Sequence, residues 1–287
     1  MEYKQQANII NEKELLWKLE HPFIIRLYDT YKDADRLYML LEVVQGGELF
    51  ARLQNSATVG RIPPSEARFY SACVLDALDY LHGMSIVYRD LKRAFWRASA
   101  AGGCAPLLLP ASSHTPPCFT PPHTPHSHTH THSLAAAENL LIDAQGYLKM
   151  VDFGFAKVVR DRTYTVCGTP EYLAPELVLG KAHGPGVDYW ALGILLFEQV
   201  AGFSPFCDAK GSDQMVICRN ILKQAEPEFP AHVKDRDCKD LILRAFFSAG
   251  RRRAWQCAPP ISSAPFHPFS PSLPRLASRS LWLTQGC

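Results

Sequence analysis

Apolar and polar positions alternate with clear period over residues 1–92 and 138–247, and lose that period over 93–137 and beyond 248. Residues 3–19 place Ile9, Ile10, Leu15, Leu16 and Leu19 near helical spacing, which predicts a helix. Residues 23–31 and 36–44 suit strands. Residues 64–83 carry Ala67, Tyr70, Val74, Ala77, Leu78 and Leu81 at i, i+3, i+4, i+7 spacing behind a Pro-Pro-Ser start, which predicts a second helix. Residues 140–143 and 147–151 flank Ala144–Gly146 as a short hairpin. Spans 187–202, 212–223 and 236–247 predict three more helices.

The aperiodic segments differ in composition. Residues 93–137 hold seven prolines and six of the chain's 11 histidines, and 248–287 are rich in Pro, Ser and Arg. Such segments bury too little apolar surface to offset their ordering entropy, so both are expected to be disordered. The HTHTH run there reads as a solvated tract, since nothing nearby supplies a fixed metal-ligand geometry. The whole chain, at 47% hydrophobic and 20% charged residues, has the makings of a sizeable core. Its net charge of +2 gives no general attraction to nucleic acid. The longest strongly apolar stretch, 191–203, is too short to span a bilayer and carries Glu198. Nine scattered cysteines without a CxxC pair, and no apolar leader, point to reduced thiols and a cytoplasmic location.

Three motifs occur in a fixed order: YRDLK at 88–92, DFG at 152–154 and APE at 174–176, with GTPEY at 168–172 between the last two. Each alone is weak. Together they resemble the protein-kinase signature set, and the resemblance covers residues 1–92 and 138–247. It implies an α+β, two-lobed kinase-like fold: a small β-containing lobe, here incomplete, and a mainly α-helical large lobe. The domain would span 1–247, interrupted at 93–137 and followed by a tail at 248–287. Phosphoryl transfer leaves the protein little covalent work, so it supplies position and charge. By resemblance, Asp90 receives or orients the proton of the substrate hydroxyl and Lys92 sits near the transferring phosphoryl group. Asn139 and Asp152 offer hard oxygens to Mg2+ bound with ATP.

EYLAPE, DYWALG, GGELF and YRD resemble the AGC group of serine/threonine kinases, and DFGFAK with TYTVCGTPEY the cyclic-nucleotide-dependent ones. VDYWALGILLFE and SPFCDAKGSDQM lean toward the cGMP-dependent branch. The resemblance implies Leu41 as gatekeeper, Glu42 and Val44 as hinge backbone partners of adenine, and Leu141 beneath the ring. Glu48 would meet the ribose and a basic substrate residue, and Glu138 and Glu198 another substrate arginine, which implies Arg-Arg-x-Ser/Thr substrates. Val166, Pro170 and Leu173 would shape the pocket after the phosphoacceptor. Thr165 aligns with the activation-loop phosphosite, with Arg89 and Lys157 as its basic partners. Leu16, Leu27, Tyr88 and Phe153, anchored on Asp188, would stack as an apolar column. A cyclic-nucleotide-binding regulatory domain or subunit joins the implied partners.

The pattern also breaks. Glu12 resembles the helix glutamate that pairs with a strand lysine, yet neither a Gly-rich phosphate loop nor that lysine occurs before it, so the expectation is an N-terminally truncated lobe. The competing readings are an active kinase, a kinase-like protein that binds without turnover, and a fragment of a larger kinase. Arg252 or Arg253 would pair with Glu176 of APE. The catalytic loop is split, with Arg93–Ala137 standing where the family has a single proline. Lengthening the Asp90–Asn139 spacing about tenfold costs only about 2 kcal/mol of loop closure, but a long tract works against holding a base and a metal ligand in fixed register. The reading that reconciles these is untranslated sequence read through over 93–137, such as a retained intron. Sequencing the transcript should return LKPEN as contiguous codons; abundant message and purified protein that both retain the tract would sink that reading.

Overall fold

The computed structural model describes residues 2–34, 36–56, 60–92, 139–165, 167–207, 213–223 and 226–248. The low-complexity assignments at 93–137 and from 249 onward, and Arg252 and Arg253, lie outside these residues. The chain opens with α1 (Glu2–Leu16), shorter than its apolar spacing predicts. Leu15 and Leu16 are buried while Ile10 is exposed, so α1 packs by its C-terminal turn. Leu19 is buried past the helix end.

Antiparallel β1 (Leu27–Lys32) and β2 (Leu37–Leu41) follow, in register from Leu27 opposite Leu41 to Lys32 opposite Leu37, with an irregularity between Leu27 and Asp29. The predicted first strand began at 23, but residues 23–25 take other partners. Ile25 N–H donates to Met150 O at 3.0 Å and Met150 N–H donates to Phe23 O at 2.8 Å. α2 (Leu49–Gln54) was not predicted. Six residues are too few to display a period, and only Leu49 and Leu53 are buried.

α3 (Pro64–Gly83) matches its prediction end to end. Pro64 at N1 loses no hydrogen bond there, Glu66 faces the positive end of the helix dipole, and all six periodic apolar residues are buried. Four short strands come next: β3 (Ile86–Val87), β4 (Leu140–Ile142), β5 (Leu148–Met150) and β6 (Lys157–Val158). β4 and β5 form the expected hairpin, with Asp143 Oδ1 accepting from Gln145 N–H and Tyr147 N–H across the turn. β3 pairs antiparallel with β6, two residues on each side and invisible to pattern reading.

A 3-10 turn (Pro170–Tyr172) and α4 (Pro175–Val178) lead into α5 (Gly186–Ala201), α6 (Gln214–Lys223) and α7 (Arg236–Ser248). α7 runs one residue into the span assigned to the tail. α5 is apolar and buried on nearly all sides, as the middle helix of a packed layer must be. Gly193 lets α7 approach it: a Cβ there would stand 2.9 Å from Ala245 Cβ. Trp190 of α5 stacks on Phe206 and meets Phe246 of α7 edge-on. The result is a sheet-bearing part followed by a mainly helical one, the α+β class expected. No helix among the described residues is long and apolar enough to cross a membrane.

Gln199 of α5 is fully buried, and neither its Oε1 nor its Nε2 has a hydrogen-bond partner among the described residues. Gln199→Met, of similar shape, should raise stability by about 1–2 kcal/mol. Denaturant midpoints check this, and a variant no more stable than the parent would contradict it.

Candidate active site

The two halves of the split loop meet. Asn139 Nδ2 donates to Asp90 Oδ2 at 2.7 Å and to Asp90 O at 2.8 Å, across 49 positions of chain. Lys92 Nζ donates to the same Asp90 Oδ2 at 2.9 Å. Each end is held from its own side, since Leu91 and Leu140 are both buried. Asp90 is 2% exposed. Burial raises its pKa above the usual carboxylate range, against the lowering effect of Lys92 and Asn139; the nearby Asp152 adds to the rise.

Backbone pairing brings in Asp152. Val151 N–H donates to Asn139 O at 3.0 Å, which sets the residue before Asp152 beside the residue after the gap. Tyr88 O–H donates to Val151 O at 2.7 Å from the other side. Asp152 has φ 59°, a left-handed conformation that turns its exposed carboxylate out of the hairpin, where Oδ1 accepts from Gly154 N–H at 3.1 Å. Tyr88 and Phe153 are buried edge to face, with centroids 5.2 Å apart, and Leu16 and Leu27 are buried in the same core. Asp188 anchors this column, accepting Tyr88 N–H at 2.9 Å and Arg89 N–H at 2.7 Å.

Glu12 lies behind the DFG segment, where its Oε1 accepts from Phe153 N–H at 3.1 Å. Burial pushes its pKa up to about 7; the Phe153 N–H opposes the rise and the Asp152 carboxylate adds to it. No cation pairs with Glu12 among the described residues. Asn11, which sequence reasoning missed, donates from Nδ2 to Ala156 O at 2.8 Å and ties α1 to the same segment.

The segment after β2, the candidate hinge, docks on the hairpin. Gly46 N–H donates to Ile142 O at 2.7 Å and Ile142 N–H to Gly47 O at 2.8 Å, while Glu48 bridges to Leu141. A Cβ on Gly46 would fall 2.5 Å from Ile142 O, so only glycine permits this approach. Leu41 and Val44 are half-buried, as is Leu141 in the middle of β4. The Glu42 side chain faces Lys149, which no sequence signal singled out.

Arg89 donates from Nε and Nη2 to Phe155 O, and from Nη1 to Thr165 O at 3.5 Å. Lys157 Nζ donates to Thr163 Oγ1 at 3.2 Å. Thr165 itself is exposed; of the two expected basic residues Arg89 reaches its carbonyl and Lys157 reaches Thr163. Leu173 is buried and lines a cleft with Arg89, Leu91, Cys167 and Thr169; Pro170 opens the 3-10 turn beside it. Glu198 is 2% exposed and accepts a hydrogen bond from Tyr172 O–H, so it stands in the wall rather than on the surface. Glu138 and Val166 lie outside the described residues.

The family profile of the protein kinase domain matches residues 1–94 and 124–256. The chain belongs to the protein kinase family. It is 40% identical over 252 residues, 87% of its length, to the human cAMP-dependent protein kinase catalytic subunit PRKX, of which it covers 55%. It is 40% identical over 253 residues, 88% of its length, to a cAMP-dependent protein kinase catalytic subunit of Dictyostelium discoideum, of which it covers 31%. Human cGMP-dependent protein kinase 2 is 40% identical over 244 residues, 84% of the chain and 25% of that protein. The chain thus spans about a third to a half of the first two relatives and a quarter of the third. Equal identity to cAMP- and cGMP-named relatives does not separate those branches.

Protein kinases hold ATP with a divalent ion, and the donor set here fits one. Asn139 Oδ1 is buried without a hydrogen-bond partner among the described residues, which is costly unless a cation or a water takes it. The exposed carboxylate of Asp152, one residue past Val151 whose N–H bonds Asn139 O, offers a second hard oxygen.

A raised carboxyl pKa adds stability that is complete below the unfolded value and is lost as pH climbs through the folded one. For Glu12 that window runs from 4.5 to about 7. In chelator-containing buffer the parent Tm should therefore fall across that window more steeply than the Tm of Glu12→Gln; parallel melting curves would contradict the assignment.

Proposed function

We propose that this chain is the catalytic core of a serine/threonine protein kinase that transfers the ATP gamma-phosphate to Ser/Thr in basic, Arg-Arg-x-Ser/Thr-like substrates. The observation that carries this reading is the Asp90–Asn139–Lys92 cluster, closed by hydrogen bonds across 49 positions and flanked by Asp152. In it, Asp90 orients the substrate hydroxyl and accepts its proton, held in place by Asn139 Nδ2. Lys92, paired to Asp90 at 2.9 Å, brings positive charge to the transferring phosphoryl group. Asn139 Oδ1 and Asp152 would hold Mg2+, which would supply charge neutralisation at the phosphates. Leu41, Val44, the Glu42 backbone and Leu141 frame the base.

Glu48, Glu138 and Glu198 supply the acidic side of the substrate site, with Glu198 positioned in its wall by Tyr172 O–H. Val166, Pro170 and Leu173 border the residue after the phosphoacceptor. Thr165 is the phosphosite, answered by Arg89 and Lys157. The kinase domain reads through α7 with 93–137 as an interruption. Regulation by a cyclic-nucleotide-binding domain or subunit goes with this reading, and the leaning to the cGMP branch rests on the sequence around 187–215 alone.

One observation favours a second reading, a kinase-like binder of low turnover. The Glu12 carboxyl is shielded and lacks a described cation, so the lysine clamp on the nucleotide phosphates has no described counterpart.

Phosphate transfer from ATP to an Arg-Arg-x-Ser peptide, with Mg2+ present, decides between them. Activity that falls by about 10²–10⁴ in Asp90→Asn supports the enzyme. Nucleotide and peptide binding without turnover supports the second reading, and absence of both overturns the assignment of the site.

A further inference from the structure

Lys149 sits where its charge acts on the hinge. Its side chain is 12% exposed and that of Glu42 24%, and Lys149 Nζ lies 2.8 Å from Glu42 Oε1 and 2.9 Å from Oε2. A two-oxygen contact this sheltered from water fixes an orientation, which an exposed pair does not. Glu42 is held on its other side as well. Arg26 N–H donates to Glu42 Oε2 at 3.3 Å and Glu42 N–H donates to Arg26 O at 2.9 Å. The carboxylate and the amide N–H of Glu42 are therefore both committed, and among the described residues its carbonyl is the polar group left to face a ligand.

The register of the hairpin completes the picture. Lys149 stands directly opposite Leu141, so both occupy one face of the β4–β5 pair, while Leu148 and Met150 turn to the core. The hinge backbone joins the same hairpin through Gly46 and Ile142. Lys149 thus links the floor of the base site to its rim with one charge-assisted contact, and the Gly46 contact fixes the far end.

We propose that Lys149 is a positioning residue for nucleotide binding: its ammonium holds Glu42, and thereby sets the height and tilt of the hinge backbone above Leu141. This rests on the nucleotide-binding reading given above. Lys149 does not touch the reacting phosphate in this scheme. It is expected to alter affinity for the adenine part of the ligand far more than turnover of bound substrate.

The test uses the full chain with adenosine and an ATP analogue as probes, and backbone amide hydrogen exchange over 42–47 as an independent readout. Lys149→Met should weaken adenosine binding by about tenfold and speed exchange in that segment, with Lys149→Arg retaining most of both. Glu42→Gln should produce the same loss, and the double variant no further loss. Lys149→Met within twofold of the parent in affinity, with unchanged exchange, overturns the proposal. So does a double variant whose losses add. If the parent binds neither probe, the nucleotide reading fails instead. The exchange arm then still decides whether Lys149 sets the hinge.

Discussion

One buried carboxylate orders the catalytic loop. Asp188, 1% exposed on the most enclosed helix of the structure, captures the N–H groups of Tyr88 and Arg89 and stands 2.8 Å from His82 Nε2. Arg89 is held at φ 65°, a left-handed conformation that costs a side-chain-bearing residue about 1–2 kcal/mol and persists only where the surroundings demand it. The demand comes from Asp188. The turn it imposes sends the Asp90 carboxylate toward Asn139 and the Arg89 guanidinium the opposite way, onto Phe155 O and Thr165 O. A single anchor therefore aims the candidate base and the candidate phosphate sensor together.

The remaining parts of the site are set by backbone pairing. β3–β6 lays the segment after DFG against the start of the catalytic loop, and Val159 N–H donates to Ser85 O just beyond it. The hairpin puts Asn139 next to Val151, and Tyr88 bonds Val151 from the other side. Asn139 and Asp152 are thus neighbours by register, whatever the length of chain before Asn139. Loop-closure entropy grows only logarithmically with length, so the separation of the two halves is a small term beside the burial of Leu91 and Leu140.

What the sequence disclosed follows from range. α3 was legible to the residue because twenty positions repeat one period and a proline marks the start. Asp90, Asn139 and Asp152 stood out through motif order, but the hydrogen bonds and backbone pairing that bring them near one another are not written in it. α2, β3 and β6 were not legible, being shorter than any period can register. The Glu42–Lys149, Asn11–Ala156 and Glu198–Tyr172 contacts were hidden for a different reason: each depends on which face a residue takes in a neighbouring element. Glu198 shows the consequence. As a residue type it reads as a surface charge, yet α5 carries it inward and a tyrosine hydroxyl satisfies it.

The electrostatics of the site fit the cation of the proposed reading. Asp152 raises the pKa of both Asp90 and Glu12, and the buried Asp188 accepts from the backbone N–H of Arg89, the residue before Asp90. Among the described residues Lys92 is the cation paired to that group, while Arg89 points elsewhere. Tyr88 adds no charge, since burial and the surrounding carboxylates hold its hydroxyl protonated. Packed carboxylates short of positive charge either take up protons or take up metal. Here Asp90 already bonds Lys92 and Asn139 as an acceptor, and Asn139 keeps one oxygen free. In the proposed reading, metal at Asn139 and Asp152 would relieve the repulsion without protonating Asp90, the candidate base.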